Sequence, residues 1–297
     1  MTAAINLGLA LLIGPLLAGT VRKYLRARLH SRQGPPVLQP FYDLFKLLGK
    51  EDLRSSPSPV VIYGPLVALA AVLGAALLTP MGTQAPLGQY ADMIVFAYLI
   101  TIAAVATVMV GLSSPSPYSA VGAGREIMMH IVVEPVLIIC LVTAAFKSEG
   151  LMMWDMAQWY HLHGPTTSMI VAAVALLLAL QAQIGKLPFD IAEADTEIMG
   201  GPFIELSGPR LALFQWAAFA RQMVYASVLA AIFIPWGVGL AFPLNILAHL
   251  ATVVAIIAFV GLIDVVNPRL RIEQAMGYFA GVIGLALVAL VLAIAGF

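Results

Sequence analysis

The sequence predicts an all-α polytopic membrane protein, from its composition, from the length of its apolar stretches and from the one-sided placement of its positive charge. Of 297 residues, 61% are hydrophobic and 10% are charged, whereas soluble globular domains carry about 25% charged residues. The mean hydropathy is +0.97. Such a chain has too little polar surface to cover itself in water, so a water-soluble fold is excluded. The net charge is zero, and no basic, aromatic-interleaved stretch offers a footing for nucleic acid.

A bilayer core about 30 Å thick is crossed by about 20 apolar helical residues. Eight stretches meet that length, at approximately residues 3–21, 59–80, 92–113, 125–146, 167–187, 211–235, 244–264 and 276–296. The first is apolar before its charges rather than after them, the reverse of a secretory signal peptide. Between the first and second spans, Pro40 to Gly49 places Phe41, Leu44, Phe45 and Leu48 at i, i+3, i+4 and i+7. That spacing predicts an interfacial amphipathic helix, which either lies on the inner leaflet or presents a docking surface. The other connections are short, and several carry Gly, Pro or charge. No internal repeat or low-complexity tract divides the chain, so residues 1–297 read as one transmembrane domain.

Positive charge is nearly confined to one side. Arg22, Lys23, Arg26, Arg28, Arg32, Lys46, Lys50 and Arg54 follow the first span, Arg125 opens the fourth, and Lys186 and Arg210 bracket the loop after the fifth. Arg221 lies within the sixth, Arg269 and Arg271 precede the eighth, and only Lys147 falls on the opposite side. Cytoplasmic loops carry the excess of Lys and Arg. Both termini are therefore expected outside the cytoplasm, with the loops after spans 1, 3, 5 and 7 inside.

Composition does not account for the charges inside the spans. Glu134 sits about ten residues into the fourth span, where an acid costs about 2.5–3.5 kcal/mol by insertion scales, so it must face protein or water. Glu126 lies two helical turns before it on roughly the same face, beside Arg125. A proton relay would use that arrangement; a neutral, hydrogen-bonded structural acid is the alternative. The loop after the fifth span, GKLPFDIAEADTEIMGGPFIELSGPR, carries Asp190, Glu193, Asp195, Glu197 and Glu205. Asp190 and Glu193 have the spacing of a helix N-cap and its reciprocal partner. Glu193 and Glu197 are like charges at i, i+4, which oppose a helix, and Gly200-Gly201-Pro202 would end it. Arg125, Lys186, Arg210, Arg221, a partner protein or protonation of one acid could offset that repulsion.

Other polar residues carry less. Asp264 is placed to pair with Arg269 or Arg271. His130 could join Glu126, or serve as a packing residue. His161 and His163 read as a loop without a third metal ligand nearby. The single cysteine, Cys140, lies in an apolar stretch, so neither a disulfide framework nor a cysteine-based metal site is expected in this chain. No phosphate loop, nucleophile elbow or zinc-helix motif is present.

Three segments carry a resemblance: ARLHSRQGPPVLQPFYDLFKLLGKED (Ala27 to Asp52), SPYSAVGAGREIMMHIVVEP (Ser116 to Pro135) and GKLPFDIAEADTEIMGGPFIELSG (Gly185 to Gly208). They resemble the signature regions of the respiratory complex I subunit 1 family, in particular its branch in membrane-bound, energy-converting [NiFe] hydrogenases. Gly34-Pro35-Pro36-Val37-Leu38-Gln39-Pro40 and the opening Lys186-Leu187-Pro188-Phe189-Asp190 are similar to the hydrogenase form, where complex I members open with Arg-Ala-Pro-Phe-Asp. Asp195-Thr196 and Leu206 depart from the residues more common in relatives.

The resemblance implies a non-catalytic membrane subunit of an oxidoreductase complex in a prokaryotic inner membrane. It would anchor a cytoplasmic arm of hydrogenase large and small subunits with a ferredoxin-like iron–sulfur subunit, and join it to antiporter-like membrane subunits that move protons or sodium. The [NiFe] centre and iron–sulfur clusters would belong to those partners, with no cofactor held by this chain. Arg125, Glu126, Glu134, Asp190, Glu193, Asp195, Glu197 and Glu205 would then form the proton-coupling set. Arg26, Arg28, Arg32, Lys46, Lys186, Arg210, Arg269 and Arg271 would seat the arm. A subunit lining a quinone tunnel in an NADH:quinone oxidoreductase is the alternative the same motifs allow.

Overall fold

The computed structural model describes residues 2–53 and 56–297; Arg54, counted above in the first basic stretch, lies outside them. In chain order the helices are α1 (Thr2–Leu29), α2 (Gln39–Leu48), α3 (Pro59–Leu78), α4 (Met93–Ser113), α5 (Pro117–Ser148), α6 (Met153–His163), α7 (Thr167–Gln183), α8 (Asp195–Ile198), α9 (Gly208–Phe233), α10 (Leu244–Val266) and α11 (Ile272–Ile294). Among the described residues there is no strand beyond one isolated bridge between Asp92 and Met152. Seven helices are long and apolar enough to cross a membrane, and α7, at 17 residues, is the shorter apolar one. The protein is a multi-span all-α membrane protein, with α7 close to the length that crosses a bilayer at 1.5 Å per residue.

The apolar pattern forms these helices because only a helix satisfies every backbone group within the bilayer. Close packing follows from small residues. α9 runs through the middle of the bundle and contacts α1, α2, α3, α6, α7 and α10. Its Ala212, Ala217, Ala220, Ala226, Ala230 and Ser227 are buried, which lets neighbouring backbones approach. α7 and α11 also pack together, and each buries a similar set of alanines, Ala172, Ala175 and Ala179 on one and Ala275, Ala286 and Ala289 on the other. The outer faces remain apolar: Tyr98 is 69% exposed and Ile131 66%, as lipid-facing or subunit-facing surfaces require.

Several boundaries differ from expectation. α1 continues to Leu29 and includes wider π-helical turns at Leu9–Ile13 and Val21–Arg26, so Arg22, Lys23, Arg26 and Arg28 stand on its last turns rather than in a loop. Long basic side chains can carry their charge outward from such a helix end. α5 begins at Pro117, eight residues before the expected start, because Pro is preorganised for a first helical turn. Arg125 therefore sits within α5 and not at its mouth. Residues 153–163, read as a loop around His161 and His163, form α6, whose Trp159 and His163 rings stack 4.6 Å apart. The amphipathic helix α2 is present. It buries Leu44 and leaves Phe45 60% exposed, with its inner edge against α1 and α9.

Candidate functional site

The segment between α7 and α9 is built differently from the capped helix its acids suggest. Only Asp195–Ile198 is α-helical, and Asp190 caps nothing: its Oδ2 accepts a hydrogen bond from Arg269 at 3.1 Å. A cation 79 residues away has overridden the local capping pattern, so Glu193 and Glu197 do not stack on one helix. Tertiary contacts hold the segment from both sides. Arg125 donates to Glu197 Oε2 at 2.7 Å and to the Ile191 carbonyl at 3.3 Å. Arg269 also donates to Thr196 Oγ1 at 3.1 Å. Phe189 packs on Phe279 and Tyr278 at ring distances of 4.8 and 5.1 Å. The Leu187 N–H donates to Asp264 Oδ1 at 3.1 Å. Asp264 thus anchors the loop backbone rather than pairing with Arg269 or Arg271.

Two glycines permit this docking. Gly201 has φ +52, and a Cβ there would stand 2.1 Å from the Ala192 carbonyl oxygen. A Cβ on Gly122 of α5 would meet Gly201 Cα at 2.6 Å. The acidic segment therefore lies backbone to backbone against α5 where larger residues would hold it away.

Two cavities meet at this segment, and a third adjoins the inner one through Glu134. The inner one, of about 40 Å³, is lined by Glu126, His130, Glu134, Gln183, Glu193 and Arg221, among others. A second, of about 160 Å³, lies between α1, α10 and the loop, with Arg22, Arg26, Lys186, Asp190, Glu193 and Asp264 on its walls. A third, apolar and of about 390 Å³, opens between α4 and α5 onto the outer face of the bundle, with Thr101 and Glu134 on its wall. Glu193 is shared by the first two and Glu134 by the first and third. Charged and titratable side chains thus stand on the walls of adjoining cavities from exposed Arg26 to Glu134 in the middle of α5.

Their electrostatics differ. Burial pushes the Glu193 carboxyl up to about 7, helped by repulsion from Glu126 and opposed by Arg221. Burial lowers the Lys186 ammonium, and Asp264 partly restores it. Glu197 is held below the usual carboxylate range by the hydrogen bond from Arg125. Glu134 accepts a hydrogen bond from Thr101 Oγ1, and its Oε2 lies 3.0 Å from His130 Nε2. His130 therefore faces Glu134, one turn away, as well as the cavity it shares with Glu126.

The structure does not bring every expected residue to the site. Glu126, Glu134, Asp190 and Glu193 line the inner cavity. Arg125 and Glu197 brace the loop outside it. Asp195 is exposed at the start of α8, and Glu205 is half-buried in the turn before α9; neither lines the inner or second cavity. Of the expected docking residues, Arg26, Arg28, Arg32, Lys46 and Arg271 are exposed. Lys186 faces the second cavity, Arg269 is committed to the loop, and Arg210 is 7% exposed and bonded to Asp52 at 2.8 Å. Residues outside the expected coupling set complete the site: Thr101, Gln183, Arg221 and Tyr225. Arg221 and Gln183 had a signal, being polar within apolar spans; Thr101 had none.

The NADH dehydrogenase family profile matches residues 1–294. Formate hydrogenlyase subunit 4 of Escherichia coli K12 is 36% identical over 230 residues, covering 76% of this chain and 74% of that protein. Hydrogenase-4 component C of the same organism is 34% identical over 231 residues, covering 76% and 73%. A subunit of the NADH-quinone oxidoreductase of Dehalococcoides mccartyi is 28% identical over 256 residues, covering 84% and 71%. Among solved structures, a chain of the membrane-bound sulfane sulfur reductase, an archaeal respiratory membrane complex, superposes with a TM-score of 0.87 at 25% identity over 98% of both chains.

Proposed function

The chain belongs to the NADH dehydrogenase family, and from that premise we propose that it is the membrane subunit of an energy-converting [NiFe] hydrogenase, coupling redox chemistry in a docked arm to ion movement. The observation that carries this reading is the series of charged and titratable side chains on the walls of adjoining cavities, from Arg26 and Lys186 through Glu193 to Glu134. The hydrogenase branch is favoured by the higher identity to hydrogenase proteins than to the quinone oxidoreductase relative.

The arm, composed of hydrogenase large and small subunits and a ferredoxin-like iron–sulfur subunit, rests on the exposed cations Arg26, Arg28, Arg32, Lys46 and Arg271. The [NiFe] and iron–sulfur centres supply electron transfer and proton reduction in that arm. Within this chain, Glu193 is poised near neutrality, so a modest change of charge in the arm changes its protonation. A proton leaving or reaching Glu193 alters the field on Glu126 and Glu134 across the inner cavity. Glu134, held by Thr101 and His130, delivers the change to the far wall, where antiporter-like subunits move protons or sodium. The protein lies in the prokaryotic cytoplasmic membrane, with both termini outside the cytoplasm by the distribution of Lys and Arg.

Purification of the intact complex tests the assignment. Nickel with hydrogenase large and small subunits is the expected composition. A reducible quinone without nickel would favour the quinone-tunnel alternative. Retained coupling after neutralisation of every acid lining the cavities would reduce the chain to a structural anchor.

A further inference from the structure

Two glutamines at the end of α7 are used in opposite ways. Gln181, 3% exposed, donates from Nε2 to the Leu187 carbonyl at 2.6 Å and the Val260 carbonyl at 3.1 Å. It ties α7 to the loop and α10. Gln183 is 8% exposed and lines the inner cavity, yet neither its Nε2 nor its Oε1 has a partner among the described residues. An amide buried with both ends unpaired is costly. Arg221 Nε, in the same cavity, is likewise without a partner among them. A cavity of about 40 Å³ with polar walls has room for about three waters at about 10–15 Å³ each.

We propose that Gln183 is the positioning residue of this cavity, holding a short file of water that joins the Glu134–His130 end to the Glu193–Arg221 end. Its Nε2–H donates to one water and its Oε1 accepts from another, so a single side chain sets the direction of the hydrogen bonds on both sides. An amide neither gains nor loses a proton near neutrality, so the proton moves through the water and the acids, not through Gln183. Its neutrality also counts. The cavity already holds four carboxyls, Glu126, Glu134, Asp190 and Glu193, against Arg221 and His130; an ionised acid at position 183 would add repulsion where Arg221 is the sole permanent cation on the described walls.

This inference rests on the coupling role proposed above, and the experiment separates the two. The intact complex, reconstituted in vesicles, is assayed for ions moved per redox turnover with Gln183→Leu, Gln183→Glu and Glu193→Gln. Gln183→Leu lowers the ratio by about fivefold or more, the scale of one lost hydrogen bond, while Gln183→Glu, which keeps the shape and can bind water but adds a fifth carboxyl, gives a ratio between those of Gln183→Leu and the wild type. A normal ratio in Gln183→Leu with a lowered ratio in Glu193→Gln overturns the role of Gln183 alone. Normal ratios in both overturn the coupling reading as well. Should Gln183→Leu fail to assemble, a structure of the wild-type complex that shows water decides. Ordered water against both amide atoms supports the proposal, and protein atoms from a partner in their place refute it.

Discussion

Glu193→Gln is the perturbation for which the structure gives the clearest magnitude. The Glu193 carboxyl stands at about 7 against an ordinary 4.5, with burial the first cause and Glu126 the second. At pH 7 it is about half protonated, where an ordinary carboxyl would be protonated in about 0.3% of molecules. Its folded-state pKa is raised, so the folded form binds the proton more tightly than the unfolded chain. The stability contribution is full below the unfolded value and is lost as pH rises through about 7, by up to about 3 kcal/mol. The Gln variant lacks that slope. Infrared absorption of protonated carboxyls, titrated between about pH 6 and 8, should show a band in the wild type that disappears with rising pH and is absent from the variant. If wild type and variant have the same carboxyl absorption at about pH 6, Glu193 is already ionised there and the argument for a poised group fails.

Two further outcomes concern the frame that holds the site. Arg210→Ala removes the 2.8 Å ion pair with Asp52 and should destabilise the protein by roughly 2–3 kcal/mol, less than breaking a fully buried pair because Asp52 keeps some access to solvent; thermal unfolding in detergent measures it, and an unchanged midpoint would show that the pair contributes nothing. Gly122→Ala puts a methyl 2.6 Å from Gly201 Cα, so the acidic segment must move off α5. Faster proteolysis of residues 190–205 is expected, and wild-type protection would mean that the backbone absorbs the methyl without loosening the loop.

The spans were legible because length and apolarity alone decide whether a helix fits a bilayer, and the α2 pattern because its period is local. The ends were less so. Basic side chains on α1 and the Ser, Pro and Gly around Pro117 read as loop, although snorkelling and a first-turn proline let the helices continue. At the site, sequence reasoning found the acids but not their arrangement. The D-x-x-E spacing of Asp190 and Glu193 pointed to a helix cap, whereas Arg269 takes Asp190 and Arg125 takes Glu197. Such choices depend on which distant cation the fold delivers, and a local pattern carries no record of that. Thr101 reaches Glu134 from another helix, so nothing near either residue announces the bond. Glu193 resembled its neighbours in sequence and is set apart by the cavities it divides.

Glu134 is the last group of the series and the one that faces both the inner cavity and the outer pocket, so the central claim rests on it most directly. The decisive measurement is ions moved per hydrogen produced by vesicles carrying the fully assembled Glu134→Gln complex. The account predicts a ratio lowered by about a hundredfold or more, the lower end of the loss expected when a proton-transfer group is removed, with the arm still attached. A wild-type ratio in that assembled variant would contradict it.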